Sequence, residues 1–274
     1  MKSKQAIALW LITLITVPVT AEPAKRQEQA NNRYQRMTWT IDGVNRQAAV
    51  AKPANAEKDD ERAPLVFAFH GHGGNMRSAA RKFGFHKLWP EATIVYAQGL
   101  PTPGKTDPQG KKPGWQKVAG DQGDRDLKFF DEMLKTMIKD LNADPNRVYV
   151  TGHSNGGGFT YLLWSTRHQH LAAVAPSAAG GRGFKTMKPL PAMHFAGKKD
   201  PVVKFETQQR IMAAARRVNK CNDEPKKLKN GCLLYESEDG APFVSYIHPG
   251  AHGYDEKAAA LTVKFFKMHQ RKAD

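Results

Sequence analysis

The amino-acid sequence predicts an α/β fold with a mostly parallel central sheet and helices on both faces. Short, wholly apolar runs, typical of strands that are buried on both sides, alternate with segments of helical spacing. One such run leads into Gly152-His153-Ser154-Asn155-Gly156 and then into a helical segment, so a strand is followed by a sharp turn and a helix. Sheets of this kind carry their functional groups at the carboxyl ends of the strands.

The elements follow in a regular order. Asp42-Gly43 predicts a hairpin between strands at 37–41 and 46–51, because Asp-Gly suits a two-residue hairpin turn. Further strands are predicted at 64–69, 92–97, 147–151, 171–176, 192–196, 233–236 and 243–248. Helices are predicted at 127–141, 157–167, 207–218 and 256–269, and residues 142–146 should break the chain between the first helix and the next strand. Polar or Pro/Gly-rich loops are predicted at 55–62 and 99–114.

Ser154 is the candidate nucleophile. A serine at the tip of a tight strand-to-helix turn has a strained backbone, and side chains at Gly152 and Gly156 would collide with neighbouring chain. The next helix directs its free N–H groups at whatever the serine attacks. This pattern is the nucleophile elbow of the α/β-hydrolase fold. The alternative interpretation is a glycine-rich surface turn.

Two further residues complete a candidate catalytic set, because a serine hydroxyl needs a base and the base needs an orienting acid. In this fold the chain order is serine, acid, histidine. Asp200 follows the predicted strand 192–196, and His252 follows the predicted strand 243–248, so both lie just beyond strand ends. The alternatives are His248 as the base and, as the acid, the later-loop residues Asp223 and Asp239.

The oxyanion that forms in acyl transfer needs preformed N–H donors. His70-Gly71-His72-Gly73-Gly74 closes a buried strand and resembles the His-Gly loops that supply one donor in such enzymes. We expect the backbone N–H groups of His72 and Asn155 to hold the oxyanion. Trp115, near the loop 99–114, is a candidate substrate-binding residue, with simple packing as the alternative.

The first 21 residues have the pattern of a secretory signal peptide. Lys2 and Lys4 precede an apolar stretch, and Val19-Thr20-Ala21 suits a small-residue cleavage site. An uncleaved anchor is the alternative. We expect a flexible leader at 22–35, a single catalytic domain at 36–274, and a secreted or periplasmic protein with no membrane contact after cleavage.

The net charge is +16 at pH 7. The lysines and arginines are spread along the chain without the interleaved aromatic residues of nucleic-acid binding, so no nucleic-acid partner is expected. A plain basic secreted protein is one interpretation, and a weak attraction to acidic polysaccharide is the other.

Cys221 and Cys232 flank a polar loop. In an oxidising compartment such a pair predicts a local disulfide, with two free thiols as the alternative.

Several segments together resemble the secreted polyhydroxybutyrate-depolymerase-like esterases, a family that includes feruloyl and acetyl-xylan esterases. The matching stretches are PLVFAFHGHGG (64–74), DPNRVYVTGHSNGG (144–157), AAVAPSAAG (172–180), HFAGKKDPVVK (194–204) and YIHPGAHG (246–253). The resemblance implies a serine esterase with Ser154, Asp200 and His252 as nucleophile, acid and base, and a disulfide at the two cysteines.

The chain departs from the family pattern at two places. Tyr254 and Asp255 stand where relatives often have tryptophan and proline, and the first oxyanion loop reads His-Gly-His where relatives often have His-Gly-Cys. Polymer-degrading relatives often carry extra binding domains, and the sequence indicates none, which favours oligomers or polysaccharide side-chain esters.

Together these features predict a serine carboxylic-ester hydrolase that needs no metal or organic cofactor. Its expected substrates are feruloyl or acetyl esters on polysaccharide, or hydroxyalkanoate esters. The alternatives are a peptidase or amidase with the same three residues, and a non-catalytic carbohydrate-binding protein on a hydrolase scaffold.

Overall fold

The structure, a computed structural model, describes residues 34–54 and 61–271. The predicted signal peptide and most of the predicted leader lie outside this part of the chain. The described residues form one ten-stranded sheet, a two-stranded ribbon and six α-helices. No helix in the described part is long and apolar enough to span a membrane.

The strands are β1 (Gln35–Ile41), β2 (Val44–Ala51), β3 (Ala63–Phe69), β4 (Thr93–Ala97), β5 (Leu100–Pro101), β6 (Pro113–Gly114), β7 (Ala143–His153), β8 (Ala173–Ser177), β9 (Ala192–Gly197), β10 (Lys226–Lys227), β11 (Leu233–Tyr235) and β12 (Phe243–His248). The helices are α1 (Met76–Phe83), α2 (Phe85–Leu88), α3 (Arg125–Asp140), α4 (Asn155–Arg167), α5 (Phe205–Val218) and α6 (Ala258–Phe266). Short 3₁₀ turns lie at Asp121–Asp124 and His168–His170.

The strand order in the large sheet is β1-β2-β4-β3-β7-β8-β9-β12-β11-β10. The six central strands from β4 to β12 run parallel, and the pairs β1-β2 and β11-β10 close the two ends with antiparallel strands. The predicted α/β-hydrolase fold class, with a mostly parallel sheet, is confirmed.

Helices cover both faces of the sheet. Alternate residues of β3 face opposite sides: Phe67 belongs to the core that contains residues of α3, α4 and α5, whereas Val66 belongs to the core that contains residues of α1, α2 and α6. Both faces are therefore apolar, which explains why this strand reads as a continuous apolar run. The predicted hairpin is also confirmed, because Asp42 and Gly43 both have positive φ and join the paired residues Ile41 and Val44.

The short strands β5, β6 and β10 are not predicted from the sequence, and two longer segments also differ from the prediction. Residues 76–88 form α1 and α2, which the sequence analysis did not predict, although Asn75 caps α1 with a reciprocal bond to Ser78. Strand β7 begins at Ala143 and not at 147, because Ala63 pairs with Ala143 before the register shifts.

Candidate active site

The carboxyl ends of five neighbouring strands lie along one edge of the sheet. Phe69 of β3 is level with Gly152 of β7, and His153 of β7 is level with Ser177 of β8. Gly197 of β9 is level with the last residue of β12. The loops that carry the predicted site residues therefore start from the same edge.

Ser154 lies between β7 and α4 in a strained conformation, with φ of 56° and ψ of −118°. A Cβ atom at Gly152 would overlap the carbonyl oxygen of Gly156, and one at Gly156 would overlap the carbonyl oxygens of Phe69 and His70. The predicted collisions at both glycines are confirmed. The turn can be this tight only because neither residue has a side chain.

The structure brings the three predicted side chains into one hydrogen-bonded chain. His252 Nε2 lies 2.8 Å from Ser154 Oγ, and His252 Nδ1 lies 2.8 Å from Asp200 Oδ2. His248 lies elsewhere, and its Nδ1 accepts a bond from the Gly250 N–H. The alternative acid Asp239 pairs with Lys220 at 3.1 Å.

The Asp200 carboxylate is fully buried and is held by several donors. Its Oδ1 accepts the N–H groups of Val202 (2.8 Å) and Val203 (2.9 Å), and its Oδ2 accepts a bond of 3.0 Å from Gln208 Nε2. These bonds fix the carboxylate that faces His252. Gln208 was not foreseen, although it is a polar residue on the buried stripe of α5 that includes Ile211 and Ala215.

His153 packs beside His252, with ring centres 5.1 Å apart. Its side chain turns away from Ser154, and Nδ1 lies 3.3 Å from Ser177 Oγ. Burial lowers the pKa of His153 to about 3, with a smaller contribution from the charge of His252. The ring is therefore neutral at neutral pH and does not repel a proton on His252.

The loop with His72 lies against Ser154. A Cβ atom at Gly71 would be 3.5 Å from Ser154 Cβ. Within α4 the first helical bond runs from the Gly158 N–H to the Ser154 carbonyl, which leaves the Asn155 N–H without an intrahelical acceptor. The oxyanion roles of His72 and Asn155 stay predictions.

Residues 99–115, which we call the strap, are anchored to the same loops by side chains. The Gly99 N–H donates to His70 Nε2 at 3.0 Å. His72 Nε2 lies 3.2 Å from Asp107 Oδ2, and that oxygen also accepts the Lys112 N–H at 2.7 Å. The Asn155 amide bonds both the N–H and the carbonyl of Trp115, at 2.7 and 3.0 Å. Both predicted oxyanion residues therefore have side chains that hold the strap.

The prediction that Trp115 binds substrate is wrong. Its side chain is fully buried, stacks on Phe159 and packs edge-on against Phe69. Its indole N–H donates to the His70 carbonyl at 2.9 Å. Trp115 thus anchors the strap in the core, which was the alternative interpretation.

The predicted disulfide is also absent, because Cys221 and Cys232 are both free thiols. The two residues pack against different faces of the sheet: Cys221 joins the core that contains α5, and Cys232 joins the core that contains α6. Burial raises the pKa of Cys232 to about 11.

A cleft of about 530 Å³ opens above Ser154. Its walls come from the loop of residues 70–74, from Lys82 and Phe83 of α1, and from His153, His252 and Gly253. Three larger cavities, of about 690, 720 and 860 Å³, are lined by other described residues. Across residues 34–54 and 61–271, no three His, Cys, Asp or Glu side chains group closely enough to hold a metal ion.

Comparison with known proteins finds esterases of similar sequence. No protein-family model matches the chain. The probable feruloyl esterase C of Aspergillus clavatus is 31% identical over 122 residues, which are 42% of this chain and 40% of that protein. Feruloyl esterase D of Neurospora crassa is 24% identical over 250 residues, which are 81% of this chain and 79% of that protein. The chain thus spans less than half of the first relative.

Solved structures show the same fold at low identity. The acetyl xylan esterase of Aspergillus awamori superposes with a TM-score of 0.62 at 13% identity, over 85% of this chain and 99% of that one. A ferulic acid esterase of Anaeromyces mucronatus, solved with ferulic acid, superposes with a TM-score of 0.60 at 15% identity, over 86% of this chain and 90% of that one. The chain therefore has the fold of these esterases, and part of it is similar in sequence to feruloyl esterases.

Proposed function

We propose that this protein is a serine carboxylic-ester hydrolase. The observation that carries the proposal is the hydrogen-bonded chain from Ser154 through His252 to Asp200, at the strand ends and at the floor of an open cleft. The similarity to feruloyl and acetyl xylan esterases supports an ester as the substrate.

In the proposed mechanism His252 Nε2 takes the Ser154 proton as Ser154 Oγ attacks the ester carbonyl. Asp200 orients the ring and stabilises its protonated form. The backbone N–H groups of His72 and Asn155 receive the oxyanion, in a site where such donors are worth about 3–4 kcal/mol each. His252 then protonates the leaving alcohol, and water activated by the same ring releases the acid.

The proposed substrates are feruloyl or acetyl esters on polysaccharide, or hydroxyalkanoate esters. The cleft is open and about 530 Å³ in volume, which suits an ester on an oligomer. Initial rates on feruloylated and acetylated xylan oligomers and on hydroxybutyrate oligomers, measured side by side, would rank these classes. Matched ester and amide substrates would separate an esterase from a peptidase.

The decisive variant is Ser154→Ala. We expect turnover to fall to near background, because the nucleophile is lost, while the circular dichroism spectrum and melting temperature stay close to wild type. A serine-reactive phosphonate should label the wild type and not the variant. Full activity of Ser154→Ala would refute the assignment, and failure of the phosphonate to label Ser154 would favour a non-catalytic scaffold.

We also propose that residues 1–21 are a signal peptide and that 36–274 form one catalytic domain that works in the periplasm or outside the cell. A single sheet through residues 34–54 and 61–271 supports one domain. Amino-terminal sequencing of exported protein should find Glu22 as the first residue. A first residue at Met1 would contradict the cleavage.

A further inference from the structure

The cleft above Ser154 has a positive wall. Lys82, in the last turn of α1, lines it, and no carboxylate is among the described residues that form its surface. Lys112 lies beside the same cleft, since its Cδ is 3.5 Å from the position that a Cβ would take on Gly73, a cleft residue. Lys82 therefore borders the space that a bound ester would fill, and the Lys112 side chain lies next to that space.

The carboxylates of the neighbouring loops are bonded to groups other than these two ammonium groups. Asp107 is bonded to His72 and to the Lys112 backbone N–H, and Asp200 is buried behind His252. Neither Lys82 nor Lys112 makes an ion pair with any described residue of the chain. Their charge remains available to a ligand.

The field of Lys82 reaches the reaction centre. Burial is the main reason that the pKa of His153 is lowered, and the Lys82 charge adds to it in the same direction. Because His153 lies beside His252, the charge of Lys82 acts on a group at the floor of the cleft, where the buried Asp200 carboxylate opposes it. A positive charge on the cleft wall attracts an anionic substrate and repels a cationic one.

We propose that this cleft selects esters that carry a free carboxylate close to the scissile bond, with Lys82 as the main counter-charge and Lys112 as the second. The proposal rests on the proposed esterase function and names its substrate class. Two sources supply the chemistry: a uronic acid on the sugar chain of an acidic polysaccharide, and the terminal carboxylate of a hydroxyalkanoate oligomer.

Binding tests the site without requiring turnover. The Ser154→Ala protein would be titrated with a glucuronic-acid-substituted xylotriose against xylotriose, and with hydroxybutyrate trimer against its methyl ester. We expect the acid member of at least one pair to bind more tightly at low salt, and the advantage to shrink as NaCl is raised. Equal binding within both pairs would overturn the proposal.

Substitution locates the effect. Lys82→Gln should reduce the advantage of the acid by about two- to fivefold, the scale of one solvent-exposed charge pair. The matched control is Lys139→Gln, because Lys139 also lies in the last turn of a helix but on α3, which packs on the other face of the sheet. An equal loss in both variants would show general attraction to a basic protein and would contradict a site.

Kinetics on the corresponding esters identify the source of the carboxylate. In the wild-type enzyme, kcat/KM should favour the acidic member of the pair that also binds better, and Lys82→Gln should lower kcat/KM for the acidic ester more than for the neutral one. An equal loss on acidic and neutral esters would overturn the selection. Acid-selective binding with no hydrolysis of any ester would support the site and overturn the esterase.

Discussion

At the residue scale, the glycines of the elbow determine whether Ser154 can be presented. A Cβ atom at Gly152 or Gly156 would overlap backbone atoms that cannot move aside without disturbing β3 or α4. Gly158 is different, because a Cβ there would lie 3.5 Å from the Gly180 carbonyl oxygen, an ordinary contact. Three glycines of one short motif thus have unequal roles, which the sequence does not reveal.

This difference yields a matched pair of variants. Gly156→Ala should lower stability by about 1–3 kcal/mol, because the new methyl group overlaps the carbonyls of Phe69 and His70, and it should lower kcat/KM as the elbow shifts. Gly158→Ala should be neutral or stabilising by up to about 1 kcal/mol, since alanine favours a helix. Thermal melts and ester kinetics would check both. Similar behaviour of the two variants would contradict the close approach at Gly156.

The cysteines give a second residue-scale prediction. Thiol titration of the denatured, unreduced protein should count two free thiols, because Cys221 and Cys232 pack on opposite faces of the sheet. A reductant should leave the melting temperature unchanged. In the folded protein Cys232 should react slowly with iodoacetamide at pH 8, since burial raises its pKa to about 11. A count of zero free thiols would show that the two cysteines form a disulfide.

At the element scale, the strap joins the two segments that carry the predicted oxyanion donors. Apart from the short ribbon β5-β6 and one backbone bond of 2.7 Å from the Gly73 N–H to the Pro113 carbonyl, its position depends on side-chain bonds to His70, His72 and Asn155. Sequence patterns predict helices, strands and turns, but they do not predict bonds between side chains that are distant in the chain. This is why the position of the strap, and with it the buried role of Trp115, could not be predicted.

The contact between His72 and Asp107 can be tested by a graded series. His72→Ala should lower kcat by about tenfold to hundredfold with little change in KM, because the loop that presents the His72 N–H loses its anchor. His72→Gln should recover part of the rate, since its amide can still donate to Asp107. Steady-state kinetics on a small aryl ester would measure this. The same kcat for all three proteins would show that the contact does not position the loop.

The other elements fall into those that the periodicity of the sequence predicts and one helix that it does not. The buried strands and the long amphipathic helix α3 were predicted from periodicity, and they form the core around the site. The helix α1 was missed although Met76, Ala79, Ala80 and Phe83 have helical spacing, because its eight residues are short and three of them are basic. Since α1 supplies Lys82 and Phe83, one wall of the cleft was missed with it.

At the scale of the whole molecule, buried histidines link stability to pH. Burial lowers the pKa of His70 and His194 to about 4 and that of His153 to about 3, from an ordinary value near 6.5. At a pH between the folded and the ordinary pKa values, these histidines bind more protons in the unfolded chain than in the folded protein. Their contribution to stability is therefore complete above about pH 6.5 and is lost as the pH falls toward 4.

We expect the free energy of unfolding to fall by roughly 1 kcal/mol per pH unit for each of these imidazoles below pH 6. Denaturant melts from pH 4.5 to 8 would give the slope. His194→Gln should lower stability at every pH, because the bonds to Tyr161 and Gln208 change, yet it should flatten the slope. A variant with the wild-type slope would show that His194 is not a source of the pH dependence.

The strap also has a consequence for redesign. Its anchors are Gly99, Asp107 and Trp115, and the exposed residues Lys105 and Gln109 lie between them and make none of the anchoring bonds. Sequence variation there would leave the sheet, the elbow and the anchors intact. A library restricted to the exposed strap residues would therefore vary the surface beside His72, next to the cleft, over an unchanged reaction centre, so an effect on substrate range could be measured separately from chemistry.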